Sequence, residues 1–195
     1  ILDDLGLDYR EADGEAAFYG PKLDIQIKNV WGKEDTLITL QIDFQQAKLF
    51  GMEYTDRDGT KKFPYIIHRT SIGCYERTLA LLLEKFAGAL PLWMAPEQAR
   101  ILPISDKHIP AAKEICDEMR KQGFCVGTDE RDEKIGKKIR QAQLEKTPYM
   151  LVVGDKEMEE KTVSVRSRYE GDLGSMTLDA IMVKISEEVK TKAIF

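Results

Sequence analysis

The sequence has few cysteines, no long apolar run and no excess of positive charge. Its three cysteines, Cys74, Cys116 and Cys125, follow neither the spacing of a metal site nor that of a disulfide framework. No apolar run approaches the roughly 20 residues of a membrane span. The start, Ile1-Leu2-Asp3-Asp4, has no basic flank of a signal peptide and no methionine. We therefore expect a reduced, cytoplasmic protein without a membrane partner, and a piece of a longer chain.

The charge balance argues against a surface that coats nucleic acid broadly. The 195 residues carry 29 basic and 34 acidic side chains, a formal net charge of −5. The deficit lies in residues 1–98, with 11 basic and 16 acidic side chains, whereas residues 99–195 hold 18 of each. The second half is therefore the better candidate for contact with RNA, and no DNA partner is expected.

The first half has the pattern of antiparallel strands. Residues 22–28 and 38–44 alternate strictly between apolar and polar, which places Thr39, Gln41 and Asp43 on one polar strand face. Turn residues at 55–60 predict a hairpin. A helix after Gly73 is apolar nearly all round, which predicts that it is buried.

The second half has a different pattern, in which strands alternate with helices. Pro91 and Pro96 bracket the segment that we interpret as the connection. Beyond it, apolar strand patterns at 100–104, 124–128, 149–153 and 162–168 alternate with helical patterns, of which the one at 133–146 is basic. This order predicts an α/β unit with a mixed or parallel sheet covered on both sides.

Residues 67–77, Ile-His-Arg-Thr-Ser-Ile-Gly-Cys-Tyr-Glu-Arg, place charged groups where a strand runs into an apolar helix. Burying an arginine costs several kcal/mol unless a carboxylate or an anion meets it, so Arg77 indicates an anionic ligand such as phosphate. The alternative is that Glu76 or a carbonyl satisfies Arg77 and that His68 is a hydrogen-bonded core histidine.

The spacing of His68, Arg69, Gly73, Glu76 and Arg77 resembles the third signature motif of the threonyl-tRNA synthetases, a class II family. Further segments that resemble this family are residues 14–22, 39–44, 87–96, 129–136, 148–156 and 172–176. The resemblance implies an α/β (α+β) protein in two domains. Residues 1–95 would be a carboxy-terminal portion of the class II catalytic core, an antiparallel sheet with helices and motif 3 at 68–77. Residues 96–195 would be an α/β anticodon-binding domain with a mixed five-stranded sheet.

The resemblance also implies an activity. Such an enzyme, a threonine–tRNA ligase, activates threonine with ATP and Mg²⁺ and esterifies it to the 3′ end of threonine tRNA, as a homodimer. The first and second class II motifs are not seen in this sequence, so we expect residues 1–195 alone to be inactive in adenylation. The alternative is an RNA-binding module without catalytic activity.

In the first domain, the resemblance assigns contacts with the substrates and ATP. Catalytic roles fall on Arg77, Lys22 and Gln41, and binding of threonine or ATP involves Tyr19, Thr39, Gly73, Cys74 and Arg77. His68 resembles one of three zinc ligands with which the family holds threonine, the other two lying upstream of this chain. Two departures are Thr36, where the family often has glutamine, and Cys74, where it has serine.

In the second domain, the resemblance assigns anticodon contacts to Glu157, Arg166, Asp132 and Arg140. A carboxylate accepts from the amino groups of guanine or cytosine, and arginine donates to guanine acceptors. The basic helix offers Lys137, Lys138 and Arg140 either to phosphates or simply to solvent. Asp132 stands where the family usually has asparagine, and an aspartate cannot donate a hydrogen bond.

Overall fold

The computed structural model describes residues 2–194, which form two compact units. The first unit ends at Glu84 and the second begins at Lys85. Residues 85–95, including the proline-bracketed connection, therefore group with the second unit. The domain boundary expected after residue 95 stays a prediction. None of the helices within residues 2–194 is both long enough and apolar enough to cross a membrane.

The first unit is built on a three-stranded antiparallel sheet in the order β1-β2-β5. Its elements are β1 (Lys22–Lys28), β2 (Glu34–Asp43), α1 (Gln46–Leu49), β3 (Tyr54–Thr55), β4 (Lys61–Lys62), β5 (Ile66–Arg69) and α2 (Tyr75–Lys85). Strands β3 and β4 form a separate antiparallel pair around the predicted turn. The two alternating strands and the hairpin are thereby confirmed.

The prediction that α2 is buried is wrong. No residue of α2 is buried, and Leu79 and Leu83 are 53% and 43% exposed. The reason lies in the size of the unit, because three short strands cannot cover a helix that is apolar on every side. Within the described part of this unit, only Asp43 and Ala47 are buried.

The second unit is built on a five-stranded mixed sheet in the order β10-β9-β8-β6-β7. Its elements are β6 (Ala99–Pro103), α3 (Ile109–Lys121), β7 (Val126–Thr128), α4 (Ile135–Leu144), β8 (Tyr149–Val153), α5 (Asp155–Glu160), β9 (Thr162–Ser167), β10 (Gly171–Thr177) and α6 (Leu178–Thr191). Strand β6 runs parallel to β7 and β8, whereas β8, β9 and β10 pair in antiparallel fashion. The predicted mixed five-stranded sheet is confirmed.

The sheet of the second unit is covered unequally on its two faces. One face packs against α3 and α6 in a core that includes Ile101, Leu151 and Val165. On the other face, α4 covers Leu102 and Met150 of the central strands. The β9 and β10 side chains of that second face are polar. This half of the face is not buried under α4, and Asp172 and Ser175 on it are exposed.

Candidate functional site

One face of the first sheet collects the predicted substrate-binding side chains. The strand register pairs Lys22 with Gln41, and Gln41 in turn with His68. Residues directly opposite each other in antiparallel strands point to the same face. Tyr19 joins them from the preceding loop, and its hydroxyl donates to Gln41 Oε1 at 2.7 Å. Residues far apart in sequence thus form one polar surface, which we call the polar sheet face.

The Phe18–Lys22 segment is held against β2 by its backbone. Pro21 O accepts from Ile42 N and Tyr19 O accepts from Phe44 N, each at 3.0 Å. A Cβ on Gly20 would lie 1.9 Å from Ile42 O, so only glycine permits this approach. The glycine between Tyr19 and Pro21 is therefore what brings the tyrosine over Gln41.

Two carboxylates on the polar sheet face, Asp24 and Asp43, were not among the predicted site residues. Asp24 accepts from Lys22 Nζ at 2.6 Å and from Thr39 Oγ1 at 2.8 Å. Burial opposes its ionisation, but these two donors outweigh burial and hold the pKa of Asp24 below its ordinary value. The same hydrogen bond raises the pKa of Lys22. The alternation of β1 could have indicated Asp24, because it lies two residues after Lys22.

Asp43 is fully buried and joins β2 to α1 and to His68. Its Oδ1 accepts from the backbone N–H of Gln45 and Gln46, at 2.8 and 2.9 Å. Its Oδ2 lies 3.1 Å from His68 Nε2. Burial opposes ionisation, but the two N–H donors and His68 keep the pKa of Asp43 below its ordinary value. A carboxylate thereby orients the imidazole of His68 through Nε2, and Nδ1 is the ring nitrogen left to bind a ligand.

A carboxylate that orients a histidine is the outer-shell partner typical of a zinc-binding histidine, but a single imidazole does not make a zinc site. Within residues 2–194 no group of three histidine, cysteine or acidic side chains could hold a metal ion. His108 is in the second unit. The residues present here therefore do not by themselves fit a zinc ion.

Arg77 is not buried, so the cost of burying a guanidinium does not indicate a ligand there. The side chain is exposed, and its Nη1 donates to Thr36 O at 3.2 Å. It lines a small cleft at the start of β2, which includes Asp35 and Glu84. Arg77 therefore lies near the opposite end of β2 from Asp43. The structure does not bring it into hydrogen-bonding contact with the polar sheet face.

Gly73 and Cys74 in motif 3, and Thr36 on β2, have structural partners of their own. Gly73 has φ +78°, and a Cβ there would lie 2.2 Å from Leu37 O, so this position requires glycine for packing against β2. Cys74 is exposed, and its Sγ donates to Glu76 Oε2 at 2.9 Å. Thr36 Oγ1 accepts from Gln26 Nε2 at 2.9 Å. Their roles toward a nucleotide stay predictions.

In the second unit, Arg166 lies on the polar face of β9, and Glu157 lies in α5, the helix between β8 and β9. Arg166 on β9 is opposite Asp172 on β10, with 3.5 Å between Nη2 and Oδ2. Helix α5 packs against β8 and β9 and carries Glu157 in its first turn. Glu157 Oε2 accepts from Gly154 N at 3.0 Å, so one carboxylate oxygen caps the helix. We call Ser164 and Arg166, with the polar face of β10, the open sheet surface.

The basic helix is not a uniform basic surface. Asp132 and Arg140 are exposed, and Lys137 pairs with Glu133 four residues before it. Lys138, in contrast, is only 2% exposed, and its Nζ donates to Pro103 O at 3.0 Å and to Asp129 O at 3.1 Å. Lys138 is therefore available neither to a phosphate nor to bulk solvent, and both predictions for this lysine are wrong.

Two family profiles match the chain, one for each unit. Residues 1–86 match the tRNA synthetase class II core domain (G, H, P, S and T), and residues 98–188 match the anticodon binding domain. Among solved structures, the chain is similar to the RNA binding domain of threonyl-tRNA synthetase from Cryptosporidium parvum Iowa II. The TM-score is 0.84 at 38% sequence identity, covering 95% of this chain and 47% of that one.

Curated relatives point to the same family. The chain is 62% identical to threonine–tRNA ligase of Clostridium perfringens strain 13, over 98% of its length, and 47% identical to that of Geobacillus kaustophilus, also over 98%. It spans 30% and 29% of the length of these relatives. The similarity extends through both units. The chain therefore belongs to the threonyl-tRNA synthetase family, as a segment of the class II core followed by an anticodon-binding domain.

Proposed function

We propose that this chain acts within a threonine–tRNA ligase. In the reaction, the carboxylate of threonine attacks the α-phosphate of ATP, which gives threonyl-adenylate and releases pyrophosphate. The threonyl group is then esterified to the 3′ end of threonine tRNA, and AMP is released. One observation supports the proposal most. The Tyr19–Gln41–His68 arrangement lies on a single sheet face, in a chain 62% identical to a threonine–tRNA ligase over 98% of its length.

The polar sheet face offers groups suited to the first half-reaction. Attack on the α-phosphate of ATP accumulates negative charge, which ammonium, guanidinium and Mg²⁺ stabilise best. We assign this role to Lys22 on this face and to Arg77, which lies outside it near the other end of β2. We assign the orientation of the adenylate to Gln41, Thr39 and Tyr19. Lys22 is bound to Asp24 in the free protein, so an incoming phosphate would have to share or replace that carboxylate.

In the whole enzyme we assign His68 to a zinc ion that would bind threonine through its amino group and its hydroxyl. A metal that requires the hydroxyl rejects valine more strongly than an apolar pocket could. Residues outside this chain would have to supply the remaining ligands. A homodimer and a cytoplasmic location belong to the same proposal.

The open sheet surface is our candidate for anticodon binding. Single-stranded loops are recognised by the edges of unstacked bases, which need donors and acceptors beside an accessible face. Arg166 supplies donors there and Glu157 supplies one free carboxylate oxygen, whereas Arg140 and Asp132 are exposed on α4 and just before it. Threonine tRNA is the proposed partner.

The proposal is tested by binding of the anticodon stem-loop of threonine tRNA. Copies with the second or third anticodon letter changed are compared with it at two salt concentrations. Arg166→Met should weaken binding by about 1–3 kcal/mol if it contacts a base. The matched control is Lys190→Met, which removes an exposed charge from α6, the helix on the other face of the sheet. Equal binding of every letter by the wild type would refute anticodon recognition by this chain.

A second assay addresses the catalytic part. We expect residues 1–195 alone to show no threonine-dependent exchange of pyrophosphate into ATP, because they offer one candidate zinc ligand and span about 30% of the relatives. Measurable exchange by the purified chain would contradict this expectation and would assign the whole adenylation site to these residues.

A further inference from the structure

A buried histidine connects the loops that follow β6 and β8, two central strands of the second sheet. His108 is 2% exposed and lies in the turn that follows β6. Its Nδ1 is 3.2 Å from the backbone nitrogen of Ser105 and 3.0 Å from Ser105 Oγ. Its Nε2 is 3.0 Å from Asp155 Oδ1. Asp155 is the first residue of α5 and lies two residues after the end of β8.

The hydrogen bonds of His108 determine its tautomer. A backbone N–H can only donate, so Nδ1 accepts from Ser105 and the ring proton is on Nε2. Nε2 therefore donates to the carboxylate of Asp155. That carboxylate also accepts from Lys107 Nζ at 2.7 Å, and these two donors, Lys107 first, hold the pKa of Asp155 below its ordinary value. The ring thus forms a directed link from the β6 loop to the start of α5.

This link joins the β6 loop to an element that has little stability of its own. Helix α5 has six residues, fewer than an isolated helix needs, so contacts with the rest of the unit must hold it. Glu157, two residues after Asp155, already uses Oε2 to cap Gly154. The position of its remaining oxygen therefore follows the position of the first turn of α5, which His108 anchors through Asp155.

The site also lies where an α/β sheet tends to bind ligands. Strands β6 and β8 are adjacent and parallel. The helix that follows β6, α3, packs against β6 and β7, whereas the helix that follows β8, α5, packs against β8 and β9. Crevices at the carboxyl ends of such strands are typical binding positions. His108 is buried at the carboxyl ends of β6 and β8 and is hydrogen-bonded to both loops that follow these strands.

We propose that His108 is a positioning residue for base recognition, which places Glu157 through its hydrogen bond to Asp155. The inference rests on the proposed anticodon-binding function. His108 does not touch the RNA in this scheme. Its effect should appear in the discrimination between anticodon letters and not in the general affinity for phosphates.

Two substitutions at position 108 separate the two halves of the link. In His108→Asn, the amide oxygen takes the place of Nδ1 and keeps the contact with Ser105, but the side chain is too short to reach Asp155. In His108→Gln, the amide nitrogen takes the place of Nε2 and keeps the donor to Asp155. Both variants put a neutral amide in the same buried position, so both carry a similar risk to folding.

The measurement is the ratio of Kd values for the letter-changed and the unchanged threonine anticodon stem-loop, with the full 195-residue chain. We expect His108→Asn to reduce this ratio about tenfold, within the range that one base contact provides, and His108→Gln to retain it. Asp155→Ala breaks the same bond from its exposed end and should match His108→Asn. Lys107→Met, the control, removes the other partner of Asp155, a surface ion pair of little energetic weight, and should leave the ratio unchanged.

Each outcome decides one or both of the two proposals. A wild-type chain that binds all letters equally overturns both the anticodon function and the role of His108. A selective wild type whose selectivity survives in His108→Asn and in Asp155→Ala overturns the positioning role alone. If both position-108 variants lose selectivity and Asp155→Ala retains it, the positioning role is also overturned, because the bond to Asp155 would then not matter.

Discussion

Replacing Lys138 by methionine should destabilise the second unit without changing its binding surface. The ammonium group is buried and donates to the carbonyl oxygens of Pro103 and Asp129, at the carboxyl ends of β6 and β7. Methionine retains most of the apolar stem and removes the donors. Two carbonyl groups that lie away from water then lose a partner each.

The size of the effect follows from those two groups. A buried polar group left without its partner costs about 1–3 kcal/mol, so two of them give an upper range of roughly 2–6 kcal/mol. Removing a buried charge recovers part of this, because its desolvation is no longer required. We expect a net loss of about 2–3 kcal/mol in the free energy of unfolding. For a unit of this size that corresponds to a fall in Tm of roughly 10 °C.

Thermal and urea unfolding, each followed by circular dichroism, measure this loss. The control is Lys137→Met, which removes an exposed charge paired with Glu133 and should change stability by no more than about 0.5 kcal/mol. If Lys138→Met were as stable as Lys137→Met but bound RNA more weakly and with a smaller salt dependence, the reasoning would be refuted. Lys138 would then be a phosphate contact.

Three further results are expected. Gly73→Ala should destabilise the first unit more than Gly59→Ala, as measured by limited proteolysis. Both glycines have positive φ, but of the two only position 73 would bring a Cβ to 2.2 Å from a carbonyl oxygen. Equal effects of the two substitutions would exclude this clash. The pKa of Asp129 is lowered by the Arg131 guanidinium, so its contribution to stability is present above the unfolded pKa of about 3.9 and is lost as pH falls below that value. The difference in unfolding free energy between wild type and Asp129→Asn, measured with urea at pH 7, 5 and 3, should therefore shrink as pH falls. A difference independent of pH would contradict this prediction. Burial and the hydrogen bond to Glu188 raise the pKa of Tyr149, so its contribution to stability is present below pH of about 10 and is lost as pH rises above that value. The difference in unfolding free energy between wild type and Tyr149→Phe should therefore narrow at alkaline pH, and a difference independent of pH would contradict this.

Much of the fold could be predicted from patterns that depend on neighbouring residues. The period of two in residues 22–28 predicted β1, and the apolar run at 149–153 predicted β8, because a strand buried on both faces needs apolar side chains throughout. Strand β10 has no such pattern. Its Gly-Asp-Leu-Gly-Ser-Met-Thr sequence becomes a strand because β9 supplies its hydrogen-bond partners.

The site could be predicted only as a set of residues. The resemblance named Tyr19, Gln41 and His68, but their common face depends on the register of β1, β2 and β5. The prediction failed where burial decided the role of a charge. Arg77 was expected to be buried and is exposed, and Lys138 was expected at a surface and is buried. A lysine in a helical pattern looks the same in both environments.

The sequence by itself determined the family, the order of most strands and helices, and the residue types available for chemistry. These follow from local periodicity and from motif spacing, which are properties of the chain. Only the tertiary structure decided which charges have a carboxylate, a carbonyl or water as partner. It alone connected His108 to Asp155 and Asp43 to His68, because such partners lie 47 and 25 residues apart and meet only when the sheets form.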